Sequence, residues 1–297
     1  MATVDLNGQT QLVGLIGWPV EHSLSPAMHN AAFDALQLNW RYVPLPVAPE
    51  AVRRAVDGLA ALGFRGANVT VPHKRAVMNR LDEIAPDARS FGAVNTLVVE
   101  RESDVRPALR GDNTDYAGFV QALRQDGFEP TGKRALVVGA GGAARAVVFG
   151  LLKAEIAAVT VLNRTPARAE RLVADLAPFG ERTPLDPLGL TDERLIESAR
   201  RSDLLVNTTP VGMWPHVERS IWPAEVAMPP SMTVFDLVYN PLETRLLRQA
   251  RAAGARAIDG LGMLVTQGAL SFEMWTGREA PIEVMRETCE QKLRGDA

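Results

Sequence analysis

The chain is poor in cysteine, lysine and histidine, and each scarcity excludes something. One cysteine, Cys289, stands in 297 residues, so no intrachain disulfide can form. A reducing, cytoplasmic compartment is therefore expected. The four histidines, at positions 22, 29, 73 and 216, never pair with Cys or a carboxylate at metal-ligand spacing, so no metal site is expected. The formal net charge is −3 with no run of like charge, which argues against a nucleic-acid footprint or a membrane-surface patch. No uncharged apolar run is long enough to span a bilayer. Residues Met1 to Gly8 lack a basic region and an apolar core, so no signal peptide is expected. Internal repeats and low-complexity segments are also missing.

What remains is an ordinary globular composition, 46% apolar and 23% charged, at a length that suits two domains. Leu12 to Ile16 reads as a first strand. Ala27 to Leu36 reads as a helix with Ser25 as N-cap and Pro26 in its first turn. Trp40 to Val47 reads as an edge strand because of Pro44 and Pro46. A helix over 50–62, a strand over 66–71, a helix over 75–84 and a strand over 93–99 follow, with 100–107 as a hairpin loop. This alternation predicts a largely parallel sheet. A helix from Tyr116 to Gln125 follows the polar turn Gly111 to Asp115. From Arg134 onward, strands at 135–138, 157–162, 203–209, 233–238 and 255–258 alternate with helices, while 178–200 is less regular. Helices over 264–275 and 282–293 close the chain, and the last is amphipathic and expected to pack on the first domain.

Three stretches carry chemistry. In Asn68-Val69-Thr70-Val71-Pro72-His73-Lys74, an amide, a hydroxyl and an amine gather at a strand end. Of 32 cationic side chains 28 are Arg, so Lys74 is one of few cations able to release a proton. Read alone, Lys74 is equally a surface lysine. Ser23 and Ser25 sit at a helix start, where hydroxyls and unpaired N–H groups favour a carboxylate; an ordinary Ser-Pro cap would look the same. Gly139-Ala140-Gly141-Gly142-Ala143-Ala144 lies between a buried-type strand and a helix, with a second strand after it. That is the dinucleotide fingerprint, with Ala144 in the third glycine place. The second strand ends in Asn163-Arg164-Thr165 with Arg168 behind. With no carboxylate and two guanidiniums, the pattern favours a 2′-phosphate, hence NADP over NAD.

These stretches, with Gly92 to Thr96, Gly111 to Asp115, Asn207 to Met213 and Asp259 to Gln267, resemble shikimate dehydrogenase and its quinate/shikimate dehydrogenase relatives over nearly the whole chain. The resemblance implies an α/β fold with an N-terminal substrate domain, 1–114 completed by 260–297, and an NADP-binding Rossmann domain, 115–259. It implies an active site in the cleft between them. By resemblance Lys74 and Asp115 are the catalytic pair, and Ser23, Ser25, Thr70, Asn95, Tyr239 and Gln267 bind substrate, with Asn68 bracing the loop. Gly139, Gly141, Gly142, Ala143, Asn163, Arg164, Thr165 and Arg168 would hold NADP, with Met213 and Gly262 near the nicotinamide. The implied reaction is reversible reduction of 3-dehydroshikimate to shikimate, on the route to chorismate and the aromatic amino acids. Quinate or aminoshikimate dehydrogenation, or a non-catalytic regulator binding the same ligands, are the alternatives. Ser25, where quinate-preferring members often carry Thr, leans toward shikimate. Tyr116 follows Asp115 where many relatives have Gly, and the segment from His216 to Pro230 looks longer than the family minimum. The expected partners are small molecules only, and the chain is expected as a monomer or homodimer.

Overall fold

The computed structural model describes residues 6–101 and 107–295. Two compact units divide the chain: Met1–Thr114 with Val265–Ala297, and Asp115–Leu264.

The first unit begins with β1 (Gln11–Gly17), α1 (Ser25–Ala35) and β2 (Trp40–Pro46), followed by α2 (Val52–Ala61) and β3 (Gly66–Val69). Then come β4 (Glu83–Ile84), α3 (Pro86–Phe91), β5 (Thr96–Glu100) and β6 (Ala108–Asp112). The sheet order is β2-β1-β3-β5-β6-β4. β1 runs parallel to β2 and β3, whereas β5 is antiparallel to both β3 and β6. The sheet is therefore mixed rather than largely parallel, because β5 and β6 form a hairpin that needs no crossover. Of the expected hairpin loop, 102–106 lies outside the described residues, as do 1–5 of the N-terminal stretch.

The helix expected over 75–84 is a short 3-10 turn, Ala76–Arg80, followed by β4. Its apolar spacing suits a helix, but tertiary bonds override it. The Asp82 carboxylate accepts from Leu109 N–H at 2.9 Å, and β4 pairs with β6. The strand expected over 93–99 starts only at Thr96, because Val94 N–H donates instead to the Lys74 carbonyl at 2.8 Å. Before it lies α3, unforeseen in the sequence, which Gly92 ends with φ +72°.

The second unit holds α4 (Asp115–Gln125), β7 (Arg134–Val138), α5 (Gly142–Lys153), β8 (Ala158–Asn163) and α6 (Pro166–Leu176). It continues with β9 (Leu185–Gly189), α7 (Asp192–Ala199), β10 (Leu204–Asn207), β11 (Thr233–Asp236), α8 (Arg245–Ala252) and β12 (Arg256–Ile258). The order β12-β11-β10-β7-β8-β9, parallel throughout, is that of the doubly wound Rossmann sheet. β7 and β10 are buried on both faces, so they read as unbroken apolar runs rather than alternating ones. Nothing in its own residues announces β9. As an edge strand it tolerates Pro187, which a central ladder would reject.

α9 (Leu261–Thr276) and α10 (Ile282–Gly295) end the chain. α10 packs on α1 in the first unit, with Met285 and Cys289 buried. Trp275 of α9 donates its indole N–H to the Leu97 carbonyl of β5 at 2.9 Å. Gly66 makes that approach possible, since a Cβ there would lie 2.2 Å from the Leu97 carbonyl and 2.4 Å from the indole nitrogen. Among the described residues no helix is long and apolar enough to cross a membrane.

His29 on α1 is buried in an aromatic cage. It stacks on Tyr42 at 4.5 Å between centroids and 5° between planes, with Phe33, Phe272 and Trp275 around it. Among the described residues neither ring nitrogen has a hydrogen-bond partner. Burial pulls its pKa down to about 3, so the folded chain holds it neutral. An unfolded histidine titrates near 6.5. Protons therefore bind the unfolded chain first, and stability falls as pH drops from about 6.5 toward 3, by roughly 1.4 kcal/mol per unit at most. Denaturant midpoints measured between pH 7.5 and 5 should fall in the wild type, and His29→Phe should flatten that limb. An equal fall in the variant would remove His29 from the account.

Candidate functional site

In the first unit the residues expected to bind substrate lie at the ends of β1 and β3. β3 ends at Val69 rather than Val71, and Thr70 follows it, its N–H donating to Ile16 of β1 at 2.8 Å. Pro72 carries no N–H, so the ladder cannot continue past it. The chain then turns, with Val71 exposed and His73 buried. His73 donates Nε2–H to the Val47 carbonyl at 2.7 Å, which makes it an anchor of the turn. Lys74 next to it is half-buried.

Ser25 is the first residue of α1, not its N-cap; Leu24 takes that place. The capping role passes to Ser23, whose hydroxyl oxygen accepts the Ser25 N–H at 3.2 Å. That bond uses an oxygen lone pair of Ser23 and leaves its proton for an anionic partner. Asn95 is buried between β3 and β6. Its carboxamide oxygen accepts from Thr114 N–H and from the Thr96 hydroxyl, each at 2.8 Å, and its amide donates to the Thr114 hydroxyl at 2.9 Å. Gln267 is half-buried on α9.

Asn68 is buried and fully used. Its amide donates to the Ser271 hydroxyl at 3.0 Å and the Asn95 carbonyl at 3.2 Å, and its oxygen accepts from the Tyr42 hydroxyl at 2.9 Å. Burial pushes the Tyr42 phenol well above its ordinary range. Thr96 and Thr114 lie in the polar stretches Gly92 to Thr96 and Gly111 to Asp115, whereas Tyr42 and Ser271 do not stand out in the sequence. Ser271 lies one helical turn beyond Gln267, and that spacing was the available signal.

In the second unit the fingerprint turn connects β7 to α5. Gly139 has φ +117°, and a Cβ there would sit 2.3 Å from the Thr208 hydroxyl at the end of β10. Only glycine meets both demands. This is the point where the strand order reverses, the place where open α/β sheets bind ligands. Gly141 and Gly142 lie near the surface, and Cβ atoms on them would meet nothing within 4 Å. Gly141 is the N-cap of α5 and offers no side-chain bond to the helix. The first N–H groups of α5 thus face open space with positive helix potential behind them, a setting that fits a pyrophosphate. Ala144 is fully buried, as the third glycine place requires.

At the end of β8, Asn163 folds its amide onto the Thr165 carbonyl at 2.9 Å, while Arg164, Thr165 and Arg168 are exposed. No carboxylate stands among residues 163–168. The donor set therefore fits a phosphorylated ribose. Buried Arg145 of α5 pairs with Asp175 of α6, which ties together the helices that follow these two turns. Met213 is exposed, whereas Gly262 is buried and Tyr239 half-buried.

A further polar cluster lies under residues 207–213. Asp236, buried at the end of β11, accepts from Asn207 at 2.9 Å, Thr244 at 2.7 Å and Val238 N–H at 3.1 Å. Burial raises its pKa to about 6 against the pull of those three bonds. Asn207 in turn accepts from the Thr209 hydroxyl at 2.7 Å. Asp115, which opens α4, is 7% exposed. Among the described residues no group of three His, Cys, Asp or Glu could hold a metal ion.

Three family models match the chain: "Shikimate dehydrogenase substrate binding domain" over residues 15–97, "Shikimate / quinate 5-dehydrogenase" over 122–207, and "Shikimate 5'-dehydrogenase C-terminal domain" over 260–290. A curated relative from Moorella thermoacetica, "Shikimate dehydrogenase (NADP(+))", is 49% identical over 282 residues, covering 95% of this chain and 93% of that one. The chain belongs to the shikimate dehydrogenase family. A solved shikimate dehydrogenase in complex with NADP+ is similar with a TM-score of 0.87 at 43% identity, covering 97% of this chain and 98% of the other. The shikimate 5-dehydrogenase from Thermus thermophilus, in complex with NADP(H) and shikimate, has a TM-score of 0.82 at 40% identity, covering 95% and 99%.

Proposed function

We propose that the chain is an NADP-dependent shikimate dehydrogenase that interconverts 3-dehydroshikimate and shikimate, serving chorismate and aromatic amino acid biosynthesis in the cytoplasm. One observation carries the reading: the relative at 49% identity across 95% of the chain is itself named for this activity and this cofactor. NADP, when bound, supplies or receives the hydride.

The rest falls to the chain's own side chains. Gly139, Gly141, Gly142 and Ala143 would hold the pyrophosphate, and Asn163, Arg164, Thr165 and Arg168 the 2′-phosphate. Met213 and Gly262 would border the nicotinamide. Ser23, Ser25 and Tyr239 would hold the substrate carboxylate end, and Thr70, Asn95 and Gln267 the ring hydroxyls. As the alcohol carbon loses its hydride, the hydroxyl loses a proton. We assign that proton to Lys74 Nζ, and the carboxylate role to Asp115. In the reducing direction Lys74 gives the proton back to the carbonyl oxygen. General acid–base help of this kind is worth about 10²–10⁴-fold.

The test is a steady-state panel of shikimate and quinate, each with NADP and NAD. Fastest turnover with shikimate and NADP is expected. Faster turnover of quinate with NAD would overturn the substrate and cofactor, and tight shikimate binding without turnover would overturn the enzyme reading. Size-exclusion chromatography would distinguish monomer from homodimer.

A further inference from the structure

Asn207 closes β10 and Asp236 closes β11, opposite one another in the parallel register, and both are fully buried. Two polar side chains so placed must find their partners inside the protein. Obligate donors fix the role of each atom. Thr209 N–H can only donate, so the Asn207 atom 3.0 Å from it is the carboxamide oxygen. The Asn207 amide therefore faces Asp236. It gives one proton to Asp236 Oδ1 at 2.9 Å and the other to the Val211 carbonyl at 3.3 Å. Val238 N–H donates to the same Oδ1 at 3.1 Å. The Thr244 hydroxyl accepts from Leu247 N–H at 3.3 Å and gives its own proton to Asp236 Oδ2 at 2.7 Å.

The Asn207 side chain thus clasps the loop after β10 from within, through Thr209 and Val211, and Asp236 holds that side chain in place. Main-chain bonds fix the loop at its two ends, from Thr208 N–H to the Val138 carbonyl and from Trp214 N–H to the Asn240 carbonyl, each at 2.9 Å. We propose that Asp236 is a positioning residue that, through Asn207, sets the loop over 208–213 and with it Met213. This rests on the reading of Met213 as a neighbour of the nicotinamide. Asp236 is itself fully buried, so it acts through the loop rather than on a ligand.

The test measures kcat with shikimate and NADP, and the affinity for 2′-phospho-ADP-ribose, which is NADP without its nicotinamide ring, by calorimetry. Asp236→Ala should lower kcat about 10–100-fold, because misplacement of a reacting group is costly, and leave the affinity for the fragment within about twofold. Asp236→Asn keeps an oxygen for both N–H donors, so its kcat should stay within about threefold of the wild type. Should Asp236→Ala fail to fold, Asn207→Ala breaks the same link from its other end and should show the same split. Thr244→Val leaves the Asn207 to Asp236 bond in place, so it should lower the melting temperature without the split. An unchanged kcat in the alanine variants, a fall in fragment affinity in step with kcat, or an Asp236→Asn variant as slow as Asp236→Ala would overturn the proposal. A wild type that binds the fragment yet does not turn over shikimate would instead overturn the function proposed above.

Discussion

Lys74→Ala should lower kcat for shikimate oxidation by about 10²–10⁴-fold, with the KM for NADP nearly unchanged. The fold should survive, because main-chain and His73 bonds place this turn. The Lys74 carbonyl accepts from Val94 N–H at 2.8 Å, and His73 anchors the turn through the Val47 carbonyl at 2.7 Å. A thermal melt of the variant checks that the fold is kept. Lys74→Arg is the sharper variant. Arg keeps the positive charge and the donors but cannot release a proton near neutrality. If Lys74 exchanges the hydroxyl proton, Lys74→Arg should be nearly as inactive as Lys74→Ala. If the lysine only orients substrate through its charge, Lys74→Arg should keep most of kcat, and the assigned role would be lost.

The legible parts of the chain are those where one local rule governs a residue. The fingerprint at Gly139 to Ala144 can be read because a tight turn, a close backbone approach and a packed helix start each demand a small residue at a fixed spacing. β7 and β10 can be read because strands buried on both faces are apolar throughout. The illegible parts depend on partners distant in sequence. β4 exists because Asp82 caps Leu109 and β6 offers an edge, and nothing in residues 75–84 announces that. β9 is stabilised by pairing with β8, against the preference of Pro187. Ser-Pro is the usual cap pattern and points to Ser25, whereas the hydroxyl that serves the helix start is Ser23. Ser271 is separated from Asn68 by 203 residues, and only the folded chain brings the two together. The named substrate-side residues are thus legible as polar positions in apolar surroundings, while the buried bonds that fix their donor direction are not.

The second large effect belongs to the end of β8. Arg164 and Arg168 are exposed, and residues 163–168 hold no acid. A guanidinium bonded to a phosphate is a charge-assisted contact, and losing one such bond costs about 1.5–3 kcal/mol. At about 1.4 kcal/mol per tenfold, one arginine is worth about 10–100-fold in NADP affinity. The double variant Arg164→Ala with Arg168→Ala should therefore raise the NADP KM by about 10²–10⁴-fold. The NAD KM should move by less than about threefold, because NAD carries a hydroxyl where NADP carries the phosphate. Stability should not change measurably, since both side chains lie in water. Raising the salt concentration should weaken NADP binding to the wild type more than to the double variant, because exposed charge pairs are screened. The comparison separates two roles that either arginine could have. If the pair only stabilises the start of α6, both cofactors should lose affinity together, and melting should fall with them. If the pair reads the 2′-phosphate, the loss is confined to NADP, and the ratio of the two KM values reports it directly.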